Sequence, residues 1–166
     1  FGIRGEEWAP TKQAIPATIR PFLALLNGHR DLHKRIPLNT QLCYSQPRVR
    51  RIVTEAIVAY AKAHPHEAII HFWLADGSNN HCECPACRKA RPSDWYVRML
   101  NELDAGLTRA GLDTRIVFLA YVDLLWPPRR ERIRHPERFI LMFAPITRSY
   151  GQTLRSGSAA KRMELP

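Results

Sequence analysis

At 166 residues and 45% hydrophobic composition, the chain can bury one core, which excludes a disordered polymer or a fibrous repeat. Its apolar runs are all far shorter than the roughly 18 residues that span a bilayer, so the sequence predicts no membrane span. The net charge of +10 could attract nucleic acid. However, Glu131 and Glu137 interrupt the one dense run of arginines, residues 129–138. This pattern favours a solvated segment and argues against nucleic acid as a partner.

The first elements in chain order are loops followed by a helix and a strand. Residues 1–42 are rich in proline and predict loops around one short helix. Ser45 is then a candidate N-cap for a helix with Pro47 in its first turn, and this helix should end before Pro65. The apolar stretch 68–75 that follows predicts a buried strand.

The second half of the chain repeats this alternation. Ser93 and Asp94 predict the start of a second helix, which should stop at Gly111. Residues 115–122 and 139–144 predict two more strands, and the segment between them is long enough for a parallel crossover with a short helix near residues 129–134. The strands are almost continuously apolar, which is typical of strands covered on both faces, so the sequence predicts an α/β fold with a parallel sheet.

Four cysteines form the most specific motif. Three of them lie within six residues, Cys82-Glu83-Cys84-Pro85-Ala86-Cys87, and the fourth, Cys43, lies far upstream. The Cys-X-X-Cys half is typical of a tetrahedral Zn²⁺ site, and a distant cysteine would complete it; His81 is an alternative fourth ligand. A disulfide and free thiols are the other two interpretations. A zinc ion held by four sulfurs has no open position, so such a site would be structural.

The cysteine cluster and its flanks, together with Leu42-Cys43, Leu119-Ala120-Tyr121 and the segment 145–148, resemble a bacterial family of domains of unknown function, family 4838. The resemblance implies a glycoside-hydrolase-like (β/α)₈ (TIM) barrel, often secreted or periplasmic, that acts on or binds a polysaccharide or oligosaccharide. On this basis residues 1–150 form a partial barrel domain with a Cys-rich loop at 79–92, and residues 151–166 form a flexible tail. A complete barrel needs about 250 residues, so the barrel is incomplete in this chain, and either a longer chain or a homo-oligomer would have to cover the open sheet.

Two aspartates follow predicted strands and are the candidate catalytic pair. Asp76 and Asp123 come just after the first and second strands, and ligands of parallel sheets bind at the carboxyl ends of the strands. Glycoside hydrolysis uses two carboxyl groups, one as acid and one as nucleophile or base. Tyr121, Trp126 and Arg148 are the candidate substrate-binding residues. The simpler interpretation is that the aspartates cap turns; a non-catalytic carbohydrate or partner-binding module and a zinc-knuckle nucleic-acid binder are the alternative functions.

Overall fold

The computed structural model describes residues 9–146 and Gly151 and consists of a small hairpin, two helices and a three-stranded sheet. In chain order the regular elements are β1 (Leu25–Leu26), β2 (His29–Arg30), α1 (Pro47–Ala63), β3 (Ile69–His71), α2 (Pro92–Arg109), β4 (Arg115–Tyr121) and β5 (Phe139–Ala144). The candidate residue Arg148 lies outside the described residues, as does the predicted tail apart from Gly151.

The sheet is parallel and its strands lie in chain order, β3-β4-β5. Ile69 of β3 is the register partner of Arg115, and Ile116 is the partner of Phe139. The predicted α/β class and the predicted parallel sheet are therefore confirmed. The carboxyl ends of all three strands lie at one edge of the sheet. Side chains that follow the strands, although distant in sequence, therefore come together at this edge.

Both helices pack on the same face of the sheet. The apolar stripe of α2 is fully buried there against α1 and Ile116, and its members are Met99, Leu100, Leu103 and Leu107. Tyr96 links α2 to β4 and to the residue that follows β3, because its hydroxyl donates to the Phe72 carbonyl and accepts the Leu119 N–H at 3.2 Å. Burial of each large side chain in such a core contributes about 1.5–3 kcal/mol, so the α2 stripe stabilises the packing of the helices on the sheet.

The opposite face and the outer strand are open, which contradicts the prediction that all three strands are covered on both faces. Ile69 is 45% exposed and Trp73 is 48% exposed, and on the outer strand Leu141 is 55% exposed and Phe143 is 51% exposed. The described residues supply helices for one face only, so these apolar side chains remain in contact with solvent. None of the described helices combines the length and apolar character needed to cross a membrane.

The crossover between β4 and β5 is held by polar side chains of α2, and the short helix expected near 129–134 is absent from it. Asp94 accepts the backbone N–H groups of Arg130 and Glu131 at 2.7 and 3.0 Å. About two turns further along α2, Asn101 accepts the Arg134 N–H at 3.1 Å. Because α2 satisfies the backbone of this segment directly, the segment needs no helix of its own. Its arginines are thus part of a fixed crossover.

Candidate functional site

The hydrogen bonds of two loops bring the four cysteines together. Leu23 and Leu42 form an isolated antiparallel bridge, and Cys43, the next residue, donates its N–H to the Phe22 carbonyl at 2.8 Å. The loop that carries the other three cysteines is tied to the hairpin, because the Glu83 N–H donates to the Leu25 carbonyl at 2.8 Å. Residues distant in sequence are thereby fixed around one point.

The sulfur positions match a tetrahedral metal site. All four Sγ atoms, of Cys43, Cys82, Cys84 and Cys87, lie within 4.8 Å of one another. Cys43 Sγ is 3.7 Å from Cys84 Sγ and 3.9 Å from Cys87 Sγ. A regular tetrahedron with Zn–S bonds of about 2.3 Å has edges of about 3.8 Å, whereas a disulfide needs about 2.05 Å. All four cysteines are free, so the geometry suits a metal and disfavours the disulfide interpretation.

Hydrogen-bond donors surround the sulfurs. The Leu25 N–H donates to Cys82 Sγ at 3.2 Å, the Cys87 N–H donates to Cys84 Sγ at 3.4 Å, and Arg30 Nη1 lies 4.0 Å from Cys82 Sγ. Such donors stabilise the thiolate form that binds metal and offset the negative charge of a four-thiolate site. The four sulfur atoms and the surrounding donors are therefore compatible with a metal site whose ligands would be Cys43, Cys82, Cys84 and Cys87.

Ser45 was expected to cap α1 and instead belongs to the cysteine cluster. Its hydroxyl oxygen accepts the Cys87 thiol at 3.2 Å and lies 3.5 Å from Cys43 Sγ. The N-cap of α1 is Gln46, which makes no capping side-chain hydrogen bond, and Pro47 begins the helix. Pro47 has no backbone N–H, so the first position of the helix needs no hydrogen-bond acceptor, and the Ser45 hydroxyl contacts the cysteines instead.

The thiols share their protons unevenly. Hydrogen bonds from Cys82 and Cys87 hold the pKa of Cys43 far below its usual range. The hydrogen bond with Cys43 raises the pKa of Cys87. Burial also disfavours more than one negatively charged thiolate among these four cysteines. A bound metal cation would offset that charge and would allow all four sulfurs to be thiolates.

His81 contacts Asp123 and is not part of the group of four sulfur ligands. Its Nε2 lies 3.8 Å from Asp123 Oδ2, and each of these side chains is only 16% exposed. Burial lowers the pKa of His81, and the nearby Asp123 acts in the opposite direction. His81 therefore contacts the candidate carboxylate, and the sulfur atoms alone form the metal-ligand group in the described residues.

Asp76, Tyr121 and Asp123 meet at the carboxyl edge of the sheet. Asp76 follows β3, and its Oδ1 accepts the Gly77 N–H at 2.7 Å. Asp123 follows β4, and its Oδ2 accepts the Asn79 N–H at 2.8 Å. Burial, and then the Asp76 carboxylate, raise the pKa of Tyr121, which stays a hydrogen-bond donor at neutral pH. Both aspartates thus accept backbone N–H groups of the loop after β3, and both lie at the carboxyl edge of the sheet.

Trp126 lies on the loop that follows these residues and is 44% exposed. The guanidinium of Arg91 sits over its ring, 5.6 Å from the centroid, and donates to the Pro127 carbonyl at 2.8 Å. Arg91 therefore covers one face of a tryptophan ring that is still partly exposed to solvent.

Two buried amides at this edge were not anticipated from the sequence. Asn80 is fully buried, and its Nδ2 donates to the Asp76 carbonyl at 2.7 Å and to the Asn39 carbonyl at 2.8 Å. Gln41 is 2% exposed, and its Nε2 donates to the Ala75 carbonyl at 2.7 Å. The only local signal was the polar run 76–80, which is equally typical of an exposed turn.

Comparison with known proteins gives one family. No curated protein and no solved structure matches the chain. The sequence does match the family described as a domain of unknown function (DUF4838) over residues 8–165. That match covers nearly the whole chain, including the cysteine cluster and the carboxyl edge of the sheet. The chain therefore belongs to the DUF4838 family.

Proposed function

We propose that the chain is a carbohydrate-active domain of the glycoside-hydrolase type, whose three strands belong to a (β/α)₈ barrel. The observation that carries the proposal is that Asp76 and Asp123 follow adjacent parallel strands, and that the loop after Asp76 is joined to Asp123 by the Asn79 N–H, which donates to Asp123 Oδ2 at 2.8 Å. Two carboxyl groups at the carboxyl edge of parallel strands are the arrangement that hydrolysis of a glycosidic bond requires. The strand order β3-β4-β5 is also the order that a βα barrel has.

The two aspartates would divide the chemistry. One carboxylic acid protonates the leaving oxygen of the glycosidic bond, and the other carboxylate attacks the anomeric carbon or activates a water for that attack. Tyr121 would orient Asp76 through its hydroxyl, and the partly exposed Trp126 would stack on a sugar ring. Arg148 remains a proposed substrate contact from the sequence.

Zinc is the metal that we propose for the cysteine cluster. Cys43, Cys82, Cys84 and Cys87 would hold it in a closed site, where it stabilises the surrounding loops and takes no part in the hydrolysis. The distances between the sulfur atoms and the surrounding N–H donors support this assignment.

The test is turnover of a panel of aryl glycosides, with binding of neutral oligosaccharides measured in parallel by calorimetry. Asp76→Asn and Asp123→Asn should each lower turnover by at least 100-fold and leave the circular dichroism spectrum unchanged. Asp113→Asn is the matched control, because Asp113 is exposed and precedes β4 at the opposite edge of the sheet. Equal turnover in Asp76→Asn and the parent chain would refute the catalytic assignment. Binding without turnover would replace it with a carbohydrate-binding module.

A further inference from the structure

We propose that the metal centre positions the two candidate carboxylates, and that Gln41, Asn80 and His81 connect the metal to them. This inference rests on the proposed function for the meaning of the carboxylates, but its contacts and its test are independent of any sugar. The route has two arms, one from Cys43 and one from Cys82. Each cysteine lies within two residues of a buried polar side chain that reaches the carboxyl edge of the sheet.

The first arm starts at Cys43. Gln41, two residues earlier, donates to the carbonyl of Ala75, the residue directly before Asp76. Gln41 is 2% exposed, and its carbonyl oxygen accepts the Tyr44 hydroxyl at 3.0 Å. A buried amide satisfied on both ends has one orientation. Because Gln41 lies two residues before Cys43, the position of Cys43 sets the position of the Ala75 carbonyl and so of Asp76, the next residue.

The second arm starts at Cys82 and runs through the three residues before it. Asn80 donates to the Asp76 carbonyl, and the Asn79 N–H donates to Asp123 Oδ2. His81, directly before Cys82, approaches the same Asp123 oxygen. Three consecutive residues thus contact both aspartates, and their far end is fixed by a metal ligand.

The two arms also meet each other. Gln41 Nε2 donates a hydrogen bond to Asn80 Oδ1 at 3.5 Å, and Asn80 Nδ2 donates to the Asn39 carbonyl at 2.8 Å. Residues 72–86 contain no helix or strand of their own, so these side-chain contacts help to fix the loop, together with the sulfur cluster and the backbone hydrogen bonds of Asp76 to Leu38 and of Glu83 to Leu25. A bound metal brings the two arms together by binding Cys43 and Cys82 at once, and without it this clamp is lost.

The experiment compares amide hydrogen exchange of the full chain with zinc bound and after chelation. The reporters are the hydrogen-bonded amides of Asp76, Gly77 and Asn79. We expect their exchange to accelerate at least tenfold on zinc removal, while residues 116–120 of β4 change less than twofold. Acceleration confined to residues 82–90, with the three reporters unchanged, would overturn the proposal.

If the chain unfolds without zinc, substitutions of the connecting side chains in the zinc-loaded protein test the same proposal. In the zinc-loaded protein, Asn80→Ala should accelerate exchange at Gly77 and shift the carboxyl ¹³C signal of Asp76, with zinc still at one ion per chain. Ser78→Ala, an exposed change in the same loop, is the control. Unchanged exchange and an unchanged Asp76 signal in Asn80→Ala would refute the connection. Lack of glycoside turnover would refute the proposed function alone, because neither readout requires a substrate.

Discussion

The carboxylate of Asp94 accepts the backbone N–H of Arg130 across 2.7 Å and so ties the first turn of α2 to the crossover. The same side chain accepts the N–H groups of Glu131 at 3.0 Å and of Arg91 at 3.0 Å. One buried carboxylate thereby caps its own helix and satisfies the backbone of a segment more than 30 residues away. The crossover owes its shape to this contact and to the other polar side chains on the same face of α2.

Replacing Asp94 by alanine should lower the free energy of unfolding by about 2–3 kcal/mol, because buried backbone donors lose a charged acceptor. Urea unfolding followed by circular dichroism measures this. Asp113→Ala is the control and should change the free energy by less than about 0.5 kcal/mol, since Asp113 is exposed. A loss for Asp94→Ala as small as that of the control would contradict the assigned role.

The Asp94 contribution should depend on pH. Burial alone would raise the pKa of Asp94, but hydrogen bonds from the backbone of Arg130, Glu131 and Arg91 outweigh it and lower the pKa. A carboxyl group with a lowered pKa in the folded state stabilises the protein above its unfolded pKa, about 3.9, and this stabilisation is lost as the pH falls below that value. The stability difference between the parent chain and Asp94→Asn should therefore shrink between pH 5 and pH 2. A difference that stays constant over this range would contradict the pKa shift.

Arg138 should be one of the most sensitive residues outside the apolar core. Its guanidinium donates to Asp104 at 2.9 Å and to the carbonyls of Leu112 and Thr114 at 2.8 and 3.0 Å. Asp104 is 4% exposed, so Arg138→Ala leaves a buried carboxylate without this partner and should cost about 3 kcal/mol in chemical unfolding. Arg129→Ala, in the same segment but with an exposed side chain, is the control. Equal stability of the two variants would show that Arg138 is only a surface charge.

The open sheet should make the chain self-associate. Leu141 and Phe143 expose about half of their surface on the outer strand, and Ile69 does so on the other edge strand. Unpaired edges and apolar faces favour association. Sedimentation velocity should show weight-average mass rising with concentration, and Leu141→Lys should reduce the rise. Leu38→Lys, an exposed leucine in a loop, is the control. A monomer at every concentration would contradict this expectation.

The sequence was sufficient for the order of helices and strands because α1 and α2 carry clear apolar stripes and the strands are apolar runs. The sequence was insufficient where contacts with residues distant in the chain override the local preference for a helix cap or a strand. The strand predicted over 68–75 ends at His71, because the chain beyond Phe72 is held by side chains such as Gln41. Ser45 looked like a helix cap because nothing local shows that Cys87 would need its oxygen.

The same reasoning explains the site. Cys-X-X-Cys spacing predicts a metal site directly, and the structure brings the distant Cys43 to it. The strand-end rule located Asp76 and Asp123 at one edge. It could not locate Asn80, because its partners Asn39 and Gln41 lie about 40 residues away and only the folded chain places them together.

Zinc content together with thiol reactivity in the native chain tests most directly our proposal that Cys43, Cys82, Cys84 and Cys87 form one zinc site. We expect about one zinc per chain, a first coordination shell of four sulfurs near 2.3 Å in X-ray absorption, and no thiol that reacts until a chelator is added. Cys84→Ser should weaken zinc retention, while Ser78→Ala should leave it unchanged. A native chain that binds no zinc when the metal is supplied, and whose four thiols all react at once, would contradict the account.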